Sequence, residues 1–567
     1  MRNKLYLALT AVAAGLALTS CSKMGALSSD NFSVTPNPLE TVGDQVPATI
    51  NGRFPEKYMK KKATVKVTPV LKYSAGETAS TPANFQGEKV VGNDQTIAYR
   101  VGGNYTMKAN YQYAPEMLKS ELYLQFEAKK GKKTYNVPEV KVADGIIATS
   151  TLVNQTIKST VPAYAADAYQ HIIKQKQEAN IKFLIQQAKI RTSELKSVSV
   201  QKFIETLQEI KKDQKRKALD NIEVSAYASP DGGLNLNTKL AKNREDNTAA
   251  YVKKTMKNTG IEGNLNTKYT AEDWEGFQKL VAESNIQDKE VILRVLNMYQ
   301  DPEEREAQIR NISAAFTELA KVILPELRRA RISLNYDLIG RSDNEIMQQF
   351  KADAKELSIE ELLYAATLTD KVAEKKEIFK KTTELYPNDY RAFNNLAVIA
   401  IQEGNYDAAQ KNVEKALKIN ANAAEANVNA GLIALINNNK ETAKNYLAKG
   451  SANEVANNVL GNLYLKEGNY AQAVKAFGNT KSNSAGLAQL LTKDYMTAAS
   501  TLSSVTDADA LTYYLKAVIA ARTNNSSLAV ENLKSAIKKD SSLAKYAAND
   551  LEFKKLAEDA AFKALTK

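Results

Sequence analysis

The chain of 567 residues, 44% hydrophobic and 25% charged, has an ordinary globular composition and exceeds the length that one core organises, which predicts about two to four domains. Its formal charge of +13 comes from 77 basic residues interspersed with 64 acidic ones, which is typical of solvated faces and does not indicate a nucleic-acid surface. A single cysteine excludes an intramolecular disulfide. The single histidine, His171, is expected on a helix and leaves no basis for a zinc site or a histidine triad.

Residues 1–20 have the pattern of a removable export signal, because a basic start precedes an apolar run, Leu5 to Leu18, that is short for a membrane span. The residues from Leu18 to Cys21 resemble the lipobox of bacterial lipoproteins. This resemblance implies that Cys21 becomes the acylated first residue of the mature chain, with palmitate-type chains that anchor it stably. A plain signal peptide with a chance cysteine is the alternative. No acidic run follows the cysteine, which favours the periplasmic face of the outer membrane over the cell surface.

Residues 21–45 are rich in Ser, Asn, Pro and Gly and show no period, which predicts a flexible tether. From residue 46 to 160 the pattern favours strands, because apolar and polar residues alternate over 105–113 and 122–126. The triplet 130–132, Lys-Gly-Lys, indicates a hairpin between two such runs. We therefore predict a small, Ig-like β-sandwich of antiparallel strands.

Between residues 165 and 345 strand and helix patterns alternate, which predicts an α/β sandwich with its helices on one face. The segments follow one another as 181–185 (strand), 193–215 (helix), 222–228 (strand), 237–257 (helix) and 332–338 (strand). The stretch of about 262–327 is too long for a loop in a compact domain and has helical spacing, so we predict a helical insertion there.

From residue 350 to 567 the chain is expected to be entirely helical, with a repeat of about 34 residues. The units that begin at Tyr390, at Ala424 and near Glu454 resemble tetratricopeptide repeats, and weaker units start near 356, 479 and 510. Small residues recur where the helices of a pair approach (Ala397, Gly431, Gly461) and where pairs stack (Ala409, Ala443, Ala473). The resemblance implies a solenoid of about six helix pairs and a terminal helix.

The first helices of such an array line a concave groove that suits an extended peptide or a partner helix. By register, the expected groove residues are Arg391, Asn394, Val398, Ile401, Glu425, Val428, Leu432, Asn458 and Asn462. The alternative is that the preceding domains of the same chain occupy the groove, which would make the array purely structural.

The segment around 224–252 is similar to the second strand and helix of OmpA-like domains, since Asn237, Leu240 and Arg244 have the spacing of that family. Many members of that family bind peptidoglycan stem peptides through this arginine and an aspartate at the strand end. Here Ser229 stands at the aspartate position, and Asp231 lies two residues out of place. The candidate peptidoglycan contacts are therefore Ser229, Asp231, Asn237 and Arg244.

Taken together, the sequence resembles a lipoprotein family of the Bacteroidota with a multidomain α+β architecture: β-sandwich, OmpA-like domain with a helical insertion, and tetratricopeptide solenoid. The expected function is a non-enzymatic envelope scaffold that binds a protein partner through the groove, without metal, cofactor or nucleic acid. The alternative is a cell-wall anchor that binds peptidoglycan through the OmpA-like domain.

Overall fold

The computed structural model describes residues 24–286 and 288–567, and for residues 313–315 it describes only the backbone. The predicted signal and Cys21 therefore lie outside the described residues. The chain forms two compact units: residues up to Ala166 together with Thr369–Lys567, and Asp167–Leu368. Over the part of the chain that is described, no helix has the length and apolar character needed to cross a bilayer.

The first unit begins with a sheet-rich part, which one short helix follows. Its strands are β1 (Phe32–Thr35), β2 (Leu39–Glu40), β3 (Gln45–Phe54), β4 (Thr64–Tyr73), β5 (Gly76–Ala79), β6 (Ala83–Gly87), β7 (Gln95–Ile97), β8 (Gly103–Gln112), β9 (Ser120–Lys130), β10 (Lys133–Asp144) and β11 (Ile146–Ile147), followed by α1 (Val153–Thr156). The sheets have the orders β1-β3-β8, β10-β9-β4-β6-β7 with β5 beside β4, and β11-β2. Apolar side chains at alternate positions point inward, so the two larger sheets share one core that includes Ile50, Val67 and Leu124. The predicted hairpin is confirmed, since Lys130 pairs with Lys133.

Several boundaries of this part differ from the sequence prediction. Residues 29–40 are not a tether, because they form a 3₁₀ turn and two strands, and Met24 and Leu27 are buried in the core. Strand β1 pairs only with β3, at a sheet edge, where short and polar strands are tolerated and resemble loops in sequence. Two strand pairs, β6 with β7 and β11 with β2, are parallel and not antiparallel.

The second unit is built on a mixed four-stranded sheet. Its elements are β12 (Ile172–Lys182), α2 (Thr192–Leu195), α3 (Val198–Lys212), β13 (Lys217–Tyr227), α4 (Leu234–Thr259), β14 (Asn264–Thr270), α5 (Trp274–Glu283), α6 (Lys289–Met298), α7 (Pro302–Asn311), α8 (Ser313–Val322), α9 (Leu324–Leu327), β15 (Arg329–Ile339), α10 (Asp343–Asp353) and α11 (Ile359–Ala365). The strand order is β12-β15-β13-β14, with β14 parallel to β13 and the other pairs antiparallel. Helices α3 and α4 share one apolar core with the sheet, and α5 to α9 enclose a separate core.

Three expectations for this region need correction. The first strand, predicted at 181–185, is β12 and ends at Lys182. The prediction missed most of this strand because residues 174–178 are all polar and show no alternation with apolar residues. His171 precedes this strand and is not on a helix, and its Nε2 lies 3.2 Å from Asp343 Oδ1. The insertion begins with strand β14, so only its later part is helical.

The rest of the first unit is a series of antiparallel helix pairs. Its helices are α12 (Val372–Leu385), α13 (Tyr390–Gln402), α14 (Tyr406–Ile419), α15 (Ala424–Ile436), α16 (Lys440–Gly450), α17 (Ala456–Lys466), α18 (Tyr470–Phe477), α19 (Asn483–Leu491), α20 (Tyr495–Ser503), α21 (Ala510–Arg522), α22 (Ser526–Lys539), α23 (Ser542–Asn549) and α24 (Ala560–Leu565). Helices α10 and α11 belong to the second unit, so the array of the first unit starts later than the predicted residue 350.

Local sequence explains this regularity. Asparagine or aspartate side chains cap the amino ends of second helices, as Asn405 does by accepting a hydrogen bond from Ala408 N. The predicted need for small residues is confirmed at Gly461, because a Cβ there would lie 2.7 Å from the ring of Phe477. The same packing places the first helices side by side, since α13 contacts α15, α15 contacts α17 and α17 contacts α19.

Candidate functional site: the inner face of the repeat array

The inner face of the array is filled by the chain itself. Residues 149–166, which we call the inner segment, connect the end of the sheet-rich part to Asp167 and run along the first helices of the pairs. The segment is helical from Thr149 to Ser159 and extended thereafter. The groove is therefore occupied in cis.

Three asparagines hold the extended half of the inner segment by its main chain. Asn395 Oδ1 accepts from Ala165 N at 2.8 Å, and its Nδ2 donates to Ala165 O at 2.9 Å. Asn429 makes the same pair of bonds to Ala163, each of 2.8 Å, and Asn394 Nδ2 donates to Ala163 O at 2.9 Å. Because these carboxamides bind backbone groups, they satisfy buried peptide polar atoms without reading side chains.

The helical half of the inner segment is held by apolar packing and by side-chain hydrogen bonds. Leu152 and Val153 are buried in the core of the later repeats, and Ile157 is buried in that of the earlier repeats. The polar contacts join Thr156 to Ser484 (2.9 Å), Thr160 to Asn462 (3.1 Å) and Asn154 to Lys466 (2.7 Å). These contacts, including that of Thr160 just after the helical half, use side chains, whereas Ala163 and Ala165 are held by their main-chain groups.

The residues predicted to line an open groove are all buried or half-buried. Asn394, Val398, Ile401, Val428, Leu432 and Asn462 are buried, and Arg391, Glu425 and Asn458 are half-buried. Arg391 pairs with Asp389 at 2.9 Å, and Asn458 accepts from Thr480 at 2.8 Å. The expectation of an open groove was wrong, and the alternative that the same chain fills it describes the structure.

Sequence reasoning missed Asn395 and Asn429, which make the paired main-chain contacts. They stand at equivalent places, two residues before Ala397 and Gly431 respectively, and both are buried. A buried polar residue that recurs at one repeat position was the available signal, because such a group needs a partner.

A buried ion network joins the sheet-rich part to the last repeats within the first unit. Arg522 Nη2 lies 2.6 Å from Glu552 Oε1 and 2.8 Å from Glu40 Oε1. Burial alone would lower the pKa of Arg522, but its bonds to Glu552 and the nearby Glu40 raise that pKa above the usual value. The guanidinium is therefore a permanent cation that holds both carboxylates.

In the second unit, Arg244 is a buried structural residue, with 1% of its surface exposed. Its guanidinium donates to the main-chain oxygens of Tyr227 (2.8 Å), Gln187 (3.0 Å) and Leu184 (3.4 Å). Burial, reinforced by the charge of Arg328, lowers the pKa of Arg244 to about 10 against the opposing effect of Asp231. The side chain thus ties the loop after β12 to the end of β13.

The other candidate peptidoglycan contacts surround Asp231. Ser229 donates its hydroxyl to Asp231, and Arg328 Nη2 pairs with the same carboxylate at 2.9 Å. Arg310 Nη2 donates to Asp231 O at 3.0 Å. Asn237, which is buried, donates to the main chain of Gly232 and fixes the turn. The structure therefore brings Ser229 and Asp231 together with two arginines that sequence reasoning did not select.

Within the described residues, no group of three or more His, Cys, Asp or Glu side chains is arranged to hold a metal ion. The polar clusters described above are made of asparagines and of arginine–carboxylate pairs.

Comparisons with known proteins identify the repeats. Two tetratricopeptide repeat family models match residues 378–411 and 455–478, so the C-terminal part of the chain contains tetratricopeptide repeats. No curated protein matches the sequence.

Solved structures similar to the chain include a tetratricopeptide repeat protein from Parabacteroides merdae, with 15% identity over 40% of this chain and 89% of that one (TM-score 0.28). They also include YrrB, a TPR protein with an unusual peptide-binding site, with 24% identity over 30% and 98% of the two chains (TM-score 0.22). A third is PilW, a type IV pilus biogenesis factor, with 15% identity over 40% and 96% (TM-score 0.26).

Proposed function

We propose that the protein is a non-enzymatic scaffold of the bacterial cell envelope, anchored in the outer membrane through a lipid on Cys21 and exposed to the periplasm. Tetratricopeptide repeats generally bind proteins, which supports protein partners for this chain. The lipobox-like residues before Cys21 support the anchor. In this proposal the repeats also hold the sheet-rich part of their own unit in place.

The observation that carries the proposal is the cis occupancy of the groove. The array recognises an extended main chain through Asn395 and Asn429, so it is a peptide-binding surface whose peptide is the inner segment. A partner protein then binds other surfaces of the scaffold, and the groove supplies rigidity. This differs from an adaptor whose open groove captures partners.

The test is affinity purification from crosslinked, detergent-solubilised envelopes of cells that produce the full lipoprotein. A chain truncated at the start of the array is unsuitable, because it would remove the clamp on the inner segment. The comparison is instead with Asn395→Ala/Asn429→Ala, which weakens the clamp, and with Asn437→Ala, an exposed asparagine of the same array, as control.

We expect the same dominant protein partner with all three chains. Recovery of no specific protein would refute the scaffold, and loss or gain of the partner only in the double variant would show that partners use the groove. In parallel, Cys21→Ala should move the protein from the outer-membrane fraction to the soluble periplasmic fraction.

A second candidate function, a cell-wall anchor, is supported by the topology of the second unit. The sheet order β12-β15-β13-β14 and the helices α3 and α4 in one core fit the OmpA-like reading of Asn237, Leu240 and Arg244. A zwitterionic stem peptide would place its amine at Asp231 and its carboxylate at Arg328, in exchange for their mutual ion pair.

Cosedimentation with purified sacculi tests this candidate. Arg328→Gln should reduce the bound fraction, whereas Lys239→Gln, an exposed lysine on α4, should not. Absence of cosedimentation by the unmodified protein, or equal binding by Arg328→Gln, would rule out an anchor of this kind.

A further inference from the structure

A cavity of about 410 Å³ lies in the first unit, where the inner segment meets the sheet-rich part and the repeats. This volume is within the range of small-molecule sites. Its polar wall includes Asp44 from the turn before β3, Asn154 from α1, Asn438, and the lysines Lys440 and Lys466. The apolar wall is formed by Tyr113, Pro115, Leu152, Val153 and Tyr546. The cavity is thus polar at one side and apolar at the other.

The charged side chains of the wall are not balanced. Lys440 Nζ pairs with Asp44 at 3.2 Å. Lys466 is only 4% exposed and, among the described residues, forms no ion pair with a carboxylate. Its ammonium donates instead to two neutral oxygens, Asn154 Oδ1 at 2.7 Å and Asn438 Oδ1 at 3.2 Å. Buried charges are normally paired, so one positive charge of this wall is left without its counter-ion.

Lys466 also has unused donor capacity. An ammonium carries three N–H groups, and the two asparagine oxygens account for two of them. Burial, together with the charge of Lys440, lowers the pKa of Lys466 to about 8, and Asp44 offsets this only in part. A carboxylate would supply the missing charge and accept the third N–H.

We propose that this cavity binds a small organic monocarboxylate, whose carboxylate pairs with Lys466 near Lys440 and whose apolar body lies against Tyr113 and Leu152. One negative charge balances the wall, whereas a dianion such as a phosphate would overcompensate it. This assigns a small-molecule site to the scaffold in addition to its protein-binding surfaces.

The experiment is isothermal calorimetry of the full chain with N-acetyl-leucine, and with N-acetyl-leucinamide as the matched uncharged probe. The acid should bind saturably and at least about tenfold more tightly than the amide, since loss of one buried charge pair costs that much or more. Lys466→Met should abolish the preference. Lys444→Gln, which removes an exposed lysine paired with Glu467 at 2.7 Å, should leave it unchanged.

Equal affinity for acid and amide, no saturable binding, or full binding by a folded Lys466→Met protein would each overturn the proposal. If Lys466→Met does not fold, Lys440→Gln provides the second variant, for which acid binding should weaken about tenfold because a neighbouring cation is lost.

A readout that a purely structural lysine would not give is the pKa of Lys466 itself, followed by the ¹³Cε resonance of labelled lysine. N-acetyl-leucine should raise this pKa, because the carboxylate favours the ammonium. Of the other groups that face the cavity, Asp44 titrates at acidic pH and Lys440 is already paired with it. Burial raises the pKa of Tyr113 to about 12 and also raises that of Tyr546, so both stay neutral. An unchanged pKa of Lys466 in saturating acid would contradict the proposed contact.

Discussion

The carboxamide of Asn395 accepts a hydrogen bond from Ala165 N at 2.8 Å and donates one to Ala165 O at 2.9 Å. Asn429 repeats this arrangement with Ala163, one strand period earlier along the inner segment. The two alanines face the array, whereas Tyr164 between them is exposed. The repeats therefore bind a segment of their own chain through its main chain, as they would bind an extended peptide ligand.

Removing this clamp should destabilise the first unit. In Asn395→Ala/Asn429→Ala, the N–H groups of Ala163 and Ala165 and the C=O of Ala165 lose their partners, whereas Ala163 O keeps its bond from Asn394. Each unsatisfied group costs about 1–3 kcal/mol. We expect urea denaturation followed by circular dichroism to give a lower free energy of unfolding, by about 3 kcal/mol or more. Amide hydrogen exchange should accelerate at Ala163 and Ala165.

The control for the clamp is Asn437→Ala, which changes the same side chain at an exposed position of the array. It should shift the free energy of unfolding by less than about 0.5 kcal/mol. Unchanged protection of Ala163 and Ala165 in the double variant would show that the asparagine contacts do not hold the segment.

The ion network around Arg522 predicts a larger effect from a single change. Glu552 is 3% exposed in its side chain, and Arg522→Met would leave its carboxylate without a counter-ion. Breaking a buried pair on one side costs about 3–5 kcal/mol, so the urea midpoint should fall markedly. In Arg522→Met/Glu552→Gln, part of this loss should be recovered, because the buried carboxylate is removed and only the partly exposed Glu40 lacks its partner.

Lys563→Gln provides the matched surface case, because Lys563 and Glu558 form an exposed pair. Its effect on the urea midpoint should be negligible. If Arg522→Met lowered the urea midpoint as little as Lys563→Gln does, the network would contribute nothing to stability.

The sequence predicted elements whose pattern is local and failed where distant contacts decide the structure. Period-two alternation predicted the strands β8 and β9, and the small residues of the repeats predicted the helix pairs. Each pattern was sufficient because it reflects the face that the element buries. Residues 149–166 carry no such pattern, since their partners are asparagines more than 200 residues away. Similarly, the pairing of Asp231 with Arg328 depends on the fold of the insertion between them, which no local motif encodes.

Asp550 should make the stability of the first unit depend on pH. Burial, reinforced by the charge of Glu552, raises the pKa of Asp550 from 3.8 to about 6, although Tyr514 donates to its carboxylate at 2.6 Å. Between these two pH values the folded protein holds a proton that the unfolded chain releases. The contribution of this group is therefore fully present below about pH 4 and is lost as the pH rises through 6, by about 2–3 kcal/mol.

Asp550→Asn retains a neutral side chain of the same shape, so it should remove this dependence. The measurement is the difference in urea midpoint between the unmodified protein and the variant from pH 4 to 7, which should grow in favour of Asp550→Asn as the pH rises. Glu531→Gln, at an exposed position of α22, should track the unmodified protein. A constant difference across this range would contradict a raised pKa for Asp550.

Arg244→Ala should weaken the second unit irrespective of any ligand. The change removes hydrogen bonds to three main-chain oxygens and a guanidinium that lies 5.1 Å from the ring centre of Phe183. We expect a loss of about 2–5 kcal/mol, with a smaller loss for Arg244→Lys, which keeps the charge but not the planar fork of donors. Trp274 is the only tryptophan and lies in this unit, so its fluorescence in urea follows the relevant unfolding.

Because Arg244 is expected to stabilise the fold, wall binding is better tested by changing Arg328. A sacculus-binding defect in Arg244→Ala would reflect a weakened fold, whereas Arg328, with 12% of its side chain exposed, forms the ion pair with Asp231 that the proposed stem peptide would replace. If Arg244→Ala left the fluorescence midpoint unchanged and abolished sacculus binding, Arg244 would be a ligand contact that opens on binding. An unchanged midpoint with unchanged binding would remove both roles.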